Sequence, residues 1–136
     1  QPEVNAAVAA ACEARGIWVN VADAPALCSA ILPAVVRRGA FVLAISTGGA
    51  SPAFARKLRE RLAAEFGPEY GELVDLLAAL RRAWEPRAKA ARLPGARRTQ
   101  AWDAVLDLPL LDWLRAGDRA AAEAAAWQVL DAALEH

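Results

Sequence analysis

Residues 41 to 62 read FVLAISTGGASPAFARKLRERL, and the middle of this stretch carries the residue types best suited to holding a ligand. An apolar run ends in Ser46-Thr47-Gly48-Gly49, and Ser51-Pro52 then opens a basic helical pattern. Ser51 suits an N-cap and Pro52 the first helical position, while Gly48 and Gly49 allow positive φ and close backbone approach. Such a turn is expected to aim free backbone N–H groups and the positive end of a helix at one point, which attracts anions. A Ser-Pro pair alone is satisfied by a plain helix cap; the Ser-Thr-Gly-Gly before it favours a site. The loop is no Walker A motif, because no Gly-Lys-Ser/Thr follows, and the chain has no GxGxxG.

Asp23 is the second candidate. It follows an apolar run, Ile17 to Val21, that predicts a buried strand, and open α/β sheets place ligands beyond the carboxyl ends of their strands. An Asp that starts a turn before Pro25 fits the same local pattern. Cys12 and Cys28 read as small core residues rather than metal ligands. The one histidine, His136, ends a Leu-Glu-His that looks like the remains of a purification tag, so no histidine triad or histidine-rich zinc site is expected.

These side chains need elements to position them. Val4, Ala7, Val8, Ala11 and Cys12 recur at helical spacing over residues 3–15, with Gly16 where a C-terminal cap belongs. A helix followed by a short strand is half of a parallel α/β unit. Ser29–Val36 and Ala40–Ile45 predict two strands of a hairpin turning at Arg37-Arg38-Gly39, with Pro33 marking an edge or bulge. An edge so rich in Val, Ile and Leu needs covering, and a second copy would cover it, so a homodimer is expected. Residues 51–65 predict an amphipathic helix. Leu73, Leu76, Leu77, Leu80 and Trp84 predict another that Pro86 limits or kinks. After a break at Leu93-Pro94-Gly95, three short helices carrying Trp102, Trp113 and Trp127 predict a small bundle, and all five tryptophans of the chain are expected to be core residues.

At 136 residues the chain is of single-domain size. Its hydrophobic content is 57%, but alanine dominates that share and charges interrupt every long apolar run, so no membrane segment is expected. Two cysteines and no signal pattern point to the cytoplasm. Lys+Arg and Asp+Glu are 16 each, so overall charge selects no polyanionic partner. Charge is segregated, however: residues 81–98 carry net +6 and residues 103–135 net −5. The basic stretch has only Trp84 and Gly95 among its cations, too little aromatic and glycine interleaving to favour nucleic acid over a solvated helix face.

PEVNAAVAAACEARGIWVNVADAP together with SAILPAVVRRGAFVLAISTGGASPAFARKLRERL resembles the siroheme synthase family, the precorrin-2 dehydrogenases that often double as sirohydrochlorin ferrochelatases. The likeness rests on N-V-x-D-x-P at Asn20–Pro25, I-x-P at Ile31–Pro33 and S-[ST]-G-G-x-S-P at Ser46–Pro52; beyond residue 86 it is one of length and character only. It implies a helix-rich α/β fold in which residues 1–25 end a Rossmann domain, 26–66 form a dimerisation region and 67–133 form a helical domain, with 134–136 a tag. The chain would then be a fragment lacking most of the NAD-binding domain and unable to turn over alone.

The resemblance further implies NAD as cofactor, Fe2+ as a substrate where chelation occurs, and a tetrapyrrole as ligand. Asp23 becomes the acid/base group, with Asn20, Ser46, Thr47, Gly48, Gly49 and Ser51 lining the substrate site. Many relatives have Ser where this chain has Thr47, which keeps the hydroxyl. The amides around Thr47 to Ser51 are expected to face Asp23 across a gap. A non-catalytic dimerisation and tetrapyrrole-binding module is the alternative.

Overall fold

The computed structural model describes residues 1–135, so the tag reading falls partly on His136, which lies outside the described residues. The architecture is helix-rich α/β: helix α1 (Pro2–Glu13), a short 3-10 turn at Pro25–Leu27, strands β1 (Ala34–Arg38) and β2 (Phe41–Ile45), then helices α2 (Pro52–Glu65), α3 (Glu69–Ala90), α4 (Gly95–Leu106), α5 (Leu110–Arg115) and α6 (Arg119–Ala132). The chain divides into two compact units: residues 1–36 with 43–65, and residues 37–42 with 66 onward.

In the first unit, α1 ends as its sequence requires. Gly16 takes φ +64°, its N–H reaches Glu13 O, and the Ile17 N–H reaches back to Cys12 O, the double bond of a Schellman cap. The strand expected over Ile17–Val21 does not form. These residues run extended without a ladder, because the only sheet among the described residues is the two-stranded β1–β2 pair, and no neighbouring strand meets them. They are held by residues 28–30 instead: Val19 N–H donates to Ser29 Oγ at 2.8 Å, and Val19 O accepts from Ser29 N and Ala30 N. Trp18 is 84% exposed, so it is not the core residue expected.

The hairpin forms with strand β1 shifted towards its tip. Ser29–Pro33 stay outside the strand because Pro33 has no N–H to give a ladder, and pairing starts at Ala34. Gly39 at φ +58° leads a two-residue turn, the position where a hairpin demands a residue free of Cβ strain. Val35 and Val42 remain exposed on it.

In the second unit the core is Leu76, Leu80, Trp84 and Ala88 of α3, with Ala101 and Val105 of α4, Leu110, and Ala122, Ala126 and Leu130 of α6. Trp84 is fully buried, stands edge-on to Trp102 at 5.7 Å between centroids, and donates its indole N–H to Leu130 O at 2.9 Å. Helix α3 continues through Pro86 to Ala90, so Pro86 does not end the helix there. Proline inside a helix costs about 3 kcal/mol or more, and burial of Trp84 and Ala88 on either side offsets it. Near its start, α3 packs on the hairpin tip. Phe41, Phe66 and Tyr70 stack with centroids 4.8 to 5.7 Å apart, and Arg38 Nε donates to Phe66 O at 3.0 Å. Arg115 joins α5 to α3 through Glu69 at 3.2 Å, a hydrogen bond that raises the guanidinium pKa above its ordinary value.

Candidate functional site

The Ser46–Ser51 loop joins β2 to α2, and its own hydroxyls shape it. Ser46 Oγ accepts from Gly48 N at 3.2 Å, and Thr47 Oγ1 accepts from Ser51 N at 3.1 Å, while Thr47 O accepts from Ala50 N at 3.0 Å. Gly48 and Gly49 sit at φ +61° and +83°, the left-handed region in which a side chain would strain the backbone. Ser51 is the N-cap the sequence indicated: its Oγ accepts from Phe54 N at 3.4 Å, and Pro52 is the first helical residue.

This bonding corrects one expectation. The amides of Gly48, Ala50 and Ser51 are spoken for within the loop, so they are not free donors for an anion. The loop reserves its hydroxyls for its own folding, leaving the Gly49 and Ala53 N–H groups outside these bonds among the described residues. Thr47 therefore fixes the turn, a task for which either Ser or Thr serves.

Ser46, Thr47 and Gly49 border a small hollow of about 80 Å³ with Ile31, Leu32 and Ile45. A Cβ placed on Gly49 would stand 3.2 Å from Ile31 Cδ1, so this glycine also allows the loop to close on the segment before β1. Asn20 and Asp23 do not border the hollow.

Asp23 stands on a separate turn of the same unit. It is exposed and adopts φ +59°, a left-handed conformation that a non-glycine residue holds only when its surroundings impose it. Those surroundings converge on Cys28. Its sulfur accepts from Val21 N at 3.1 Å and lies 3.4 Å from Val21 O and 3.5 Å from Ala24 O, gripping the chain on both sides of Asp23. Asn20 adds a bond from Nδ2 to Ala30 O at 3.0 Å. Sequence reasoning missed Cys28 as the anchor of this turn, since the thiol is eight residues from Asn20 and nothing local marks it as a hydrogen-bonding partner. Asn20 contributes by tying down the same turn.

Among the described residues no group of three or more His, Cys, Asp or Glu is placed to hold a metal, and no helix is long and apolar enough to cross a membrane.

Residues 1–34 match a family described as putative NAD(P)-binding, and residues 43–65 match the central region of sirohaem biosynthesis proteins. The chain is 37% identical over 132 residues to a siroheme synthase of Saccharophagus degradans, covering 97% of this chain and 27% of that protein. A siroheme synthase of Pseudomonas entomophila is 39% identical over 97% of this chain and 28% of its own length, and one of Methylococcus capsulatus is 42% identical over 96% and 27%. The solved structure of SirC, a precorrin-2 dehydrogenase, shares the fold at a TM-score of 0.61 with 24% identity, over 83% of this chain and 52% of that one.

The likeness thus runs past residue 86, further than the motifs alone reached. The chain spans about a quarter of the length of the curated relatives it matches. Two family models lie in succession along it, and relatives share more than a third of its residues from end to end. Over the segment that it spans, this chain is similar to siroheme synthases, with their central region matched at residues 43–65.

Proposed function

We propose that this chain is the segment of a longer siroheme-biosynthesis enzyme that helps to hold the tetrapyrrole and supplies the proton acceptor, in an NAD-dependent oxidation of precorrin-2 to sirohydrochlorin. The observation that carries the reading is Asp23: an exposed carboxylate in a left-handed conformation, clamped by the Cys28 sulfur and the Asn20 turn, within a chain that matches siroheme synthases along nearly its whole length. Oxidation of a reduced macrocycle by NAD(P) removes a hydride, which carries both electrons, and a separate proton, and a carboxylate held in one place suits the proton. Iron insertion also requires pyrrole protons to leave, so the same carboxylate would serve a chelatase step with Fe2+ as substrate, the metal being bound by the macrocycle's own nitrogens.

The match over residues 1–34 implies NAD(P) as the cofactor that accepts hydride. A dinucleotide cradle needs a glycine-rich turn from a parallel strand into a helix, and the described residues form neither that turn nor a parallel sheet. The residues present do not fit the group by themselves, and no hydride step is assigned to them.

The enzyme is taken to work in the cytoplasm as a homodimer. Exposed Ile31, Leu32, Val35 and Val42 on and beside a hairpin with two open edges support a second copy as its cover. Sedimentation at micromolar concentration is expected to give the mass of two chains; a monomer would remove the dimer from the account. For the function, Ser46→Ala and Thr47→Ala in the full-length enzyme are expected to raise KM for precorrin-2 about 10-fold, because each loosens the loop. Unchanged kinetics in both would show that the loop is a cap and no more.

A further inference from the structure

Val21 O accepts from Ala24 N at 3.3 Å, which closes a four-residue turn with Ala22 and Asp23 at its two central positions. Asp23 takes φ +59° there, where glycine would sit without strain. Among the described residues no hydrogen bond or ion pair reaches the Asp23 carboxylate, so the backbone of this turn sets its direction. The turn in turn depends on Cys28, the residue after the 3-10 turn Pro25–Leu27. The Cys28 N–H donates to Pro25 O at 3.1 Å, which fixes where its side chain starts. Its sulfur then meets both ends of the Asp23 turn: it accepts from Val21 N at 3.1 Å and directs its S–H at Val21 O, 3.4 Å away, and Ala24 O, 3.5 Å away. A thiol has a single proton, so the two carbonyls share it. Each such contact is weak, but all three converge on one atom, and its removal releases both ends of the turn together.

We infer that Cys28 is a positioning residue for the proton acceptor: its thiol sets the direction of the Asp23 carboxylate through the turn that it grips. The inference rests on the functional reading above and deepens it, by naming a residue on which the rate of proton removal depends. A general base works only within hydrogen-bond reach of its proton, about 2.6–3.2 Å. A misplacement of about 1 Å costs on the order of 100-fold in rate. A carboxylate that nothing else steadies passes any relaxation of its turn directly into that distance.

The test is a double-mutant cycle in the full-length enzyme, with kcat and KM for precorrin-2 measured in the presence of NAD. Cys28→Ala and Cys28→Val remove the S–H, one leaving space and the other filling it, so the comparison does not hang on the folding of one variant; circular dichroism checks each. Both are expected to lower kcat about tenfold or more with KM within about threefold of wild type. Cys28→Ser, which keeps a donor and an acceptor, is expected to recover kcat to within about threefold. Cys12→Ala, at the thiol that makes none of these contacts, should change kcat less than about twofold. Asp23→Asn/Cys28→Ala is expected to fall no more than about threefold below Asp23→Asn alone, because a residue that acts through Asp23 has nothing left to position. A further tenfold loss in the double variant, or Ser as slow as Ala, would overturn the assignment. If Asp23→Asn is slow while Cys28→Ala and Cys28→Val keep the wild-type kcat, the functional reading stands and this inference fails. If Asp23→Asn turns over at the wild-type rate, both fail.

Discussion

Gly71, in the first turn of α3, is where the helix meets the hairpin tip. A Cβ built on it would lie 2.6 Å from Arg38 O and 3.0 Å from Arg38 C, both backbone atoms that no rotamer change can move aside. Relief to an ordinary contact of about 3.5 Å needs the helix and the tip to part by nearly 1 Å. Overpacking of this kind costs about 1–3 kcal/mol, whereas replacing Gly by Ala within a helix gains about 0.8–1 kcal/mol. Gly71→Ala should therefore destabilise by roughly 0–2 kcal/mol, against the usual direction for that change. Gly95 supplies the reference. It also lies in a helix, but its added Cβ would meet only the Arg98 side chain at 3.9 Å. Gly95→Ala should be neutral or stabilising, and the gap between the two variants measures the steric cost, about 1–3 kcal/mol. Thermal unfolding followed by circular dichroism reads this as a Tm difference of roughly 3–10 °C for a chain of this size. Gly71→Ala melting at or above Gly95→Ala would refute the close packing of α3 on the tip.

Three further substitutions test separate parts of the structure. Cys28→Ala removes the sulfur that grips Val21 and Ala24, and should cost about 1–2 kcal/mol of stability while Cys28→Ser recovers most of it; equal stability of the two would show that the thiol only fills space. Arg92 closes α3 at φ +54°, with its N–H on Lys89 O and the Leu93 N–H on Ala88 O, so Arg92→Gly should raise the urea midpoint by up to about 1 kcal/mol of stability, and a fall would contradict a strained cap. Trp84→Phe leaves Leu130 O without its donor and a gap beside Trp102, and should lower stability by about 2–4 kcal/mol; a loss under 1 kcal/mol would mean the bond contributes little.

The parts legible in the sequence were those written in local chemistry. Ser51-Pro52 capped its helix, Gly16 ended α1, and the leucine and tryptophan spacings from residue 73 onward placed four helices and their core. Ile17–Val21 misled because an apolar β-branched run specifies a strand only when a neighbour exists to pair with it, and no described strand lies alongside. At Pro86 the helix continues where a limit was one of two expectations, because burial of the two residues that flank it outweighs the local breaker. At the site, the glycines and hydroxyls were correctly singled out, but which hydroxyl bonds which amide depends on how the turn closes. The clamp at Cys28 brings together residues seven and eight positions apart with no shared motif, and composition carries no trace of it.

The central claim is that Asp23 takes the proton. In the full-length enzyme, Asp23→Asn keeps the size and the turn but removes the base. Sirohydrochlorin formation from precorrin-2 with NAD should fall at least about 100-fold in kcat, with KM for the tetrapyrrole nearly unchanged. A variant that turns over at the wild-type rate would contradict the account.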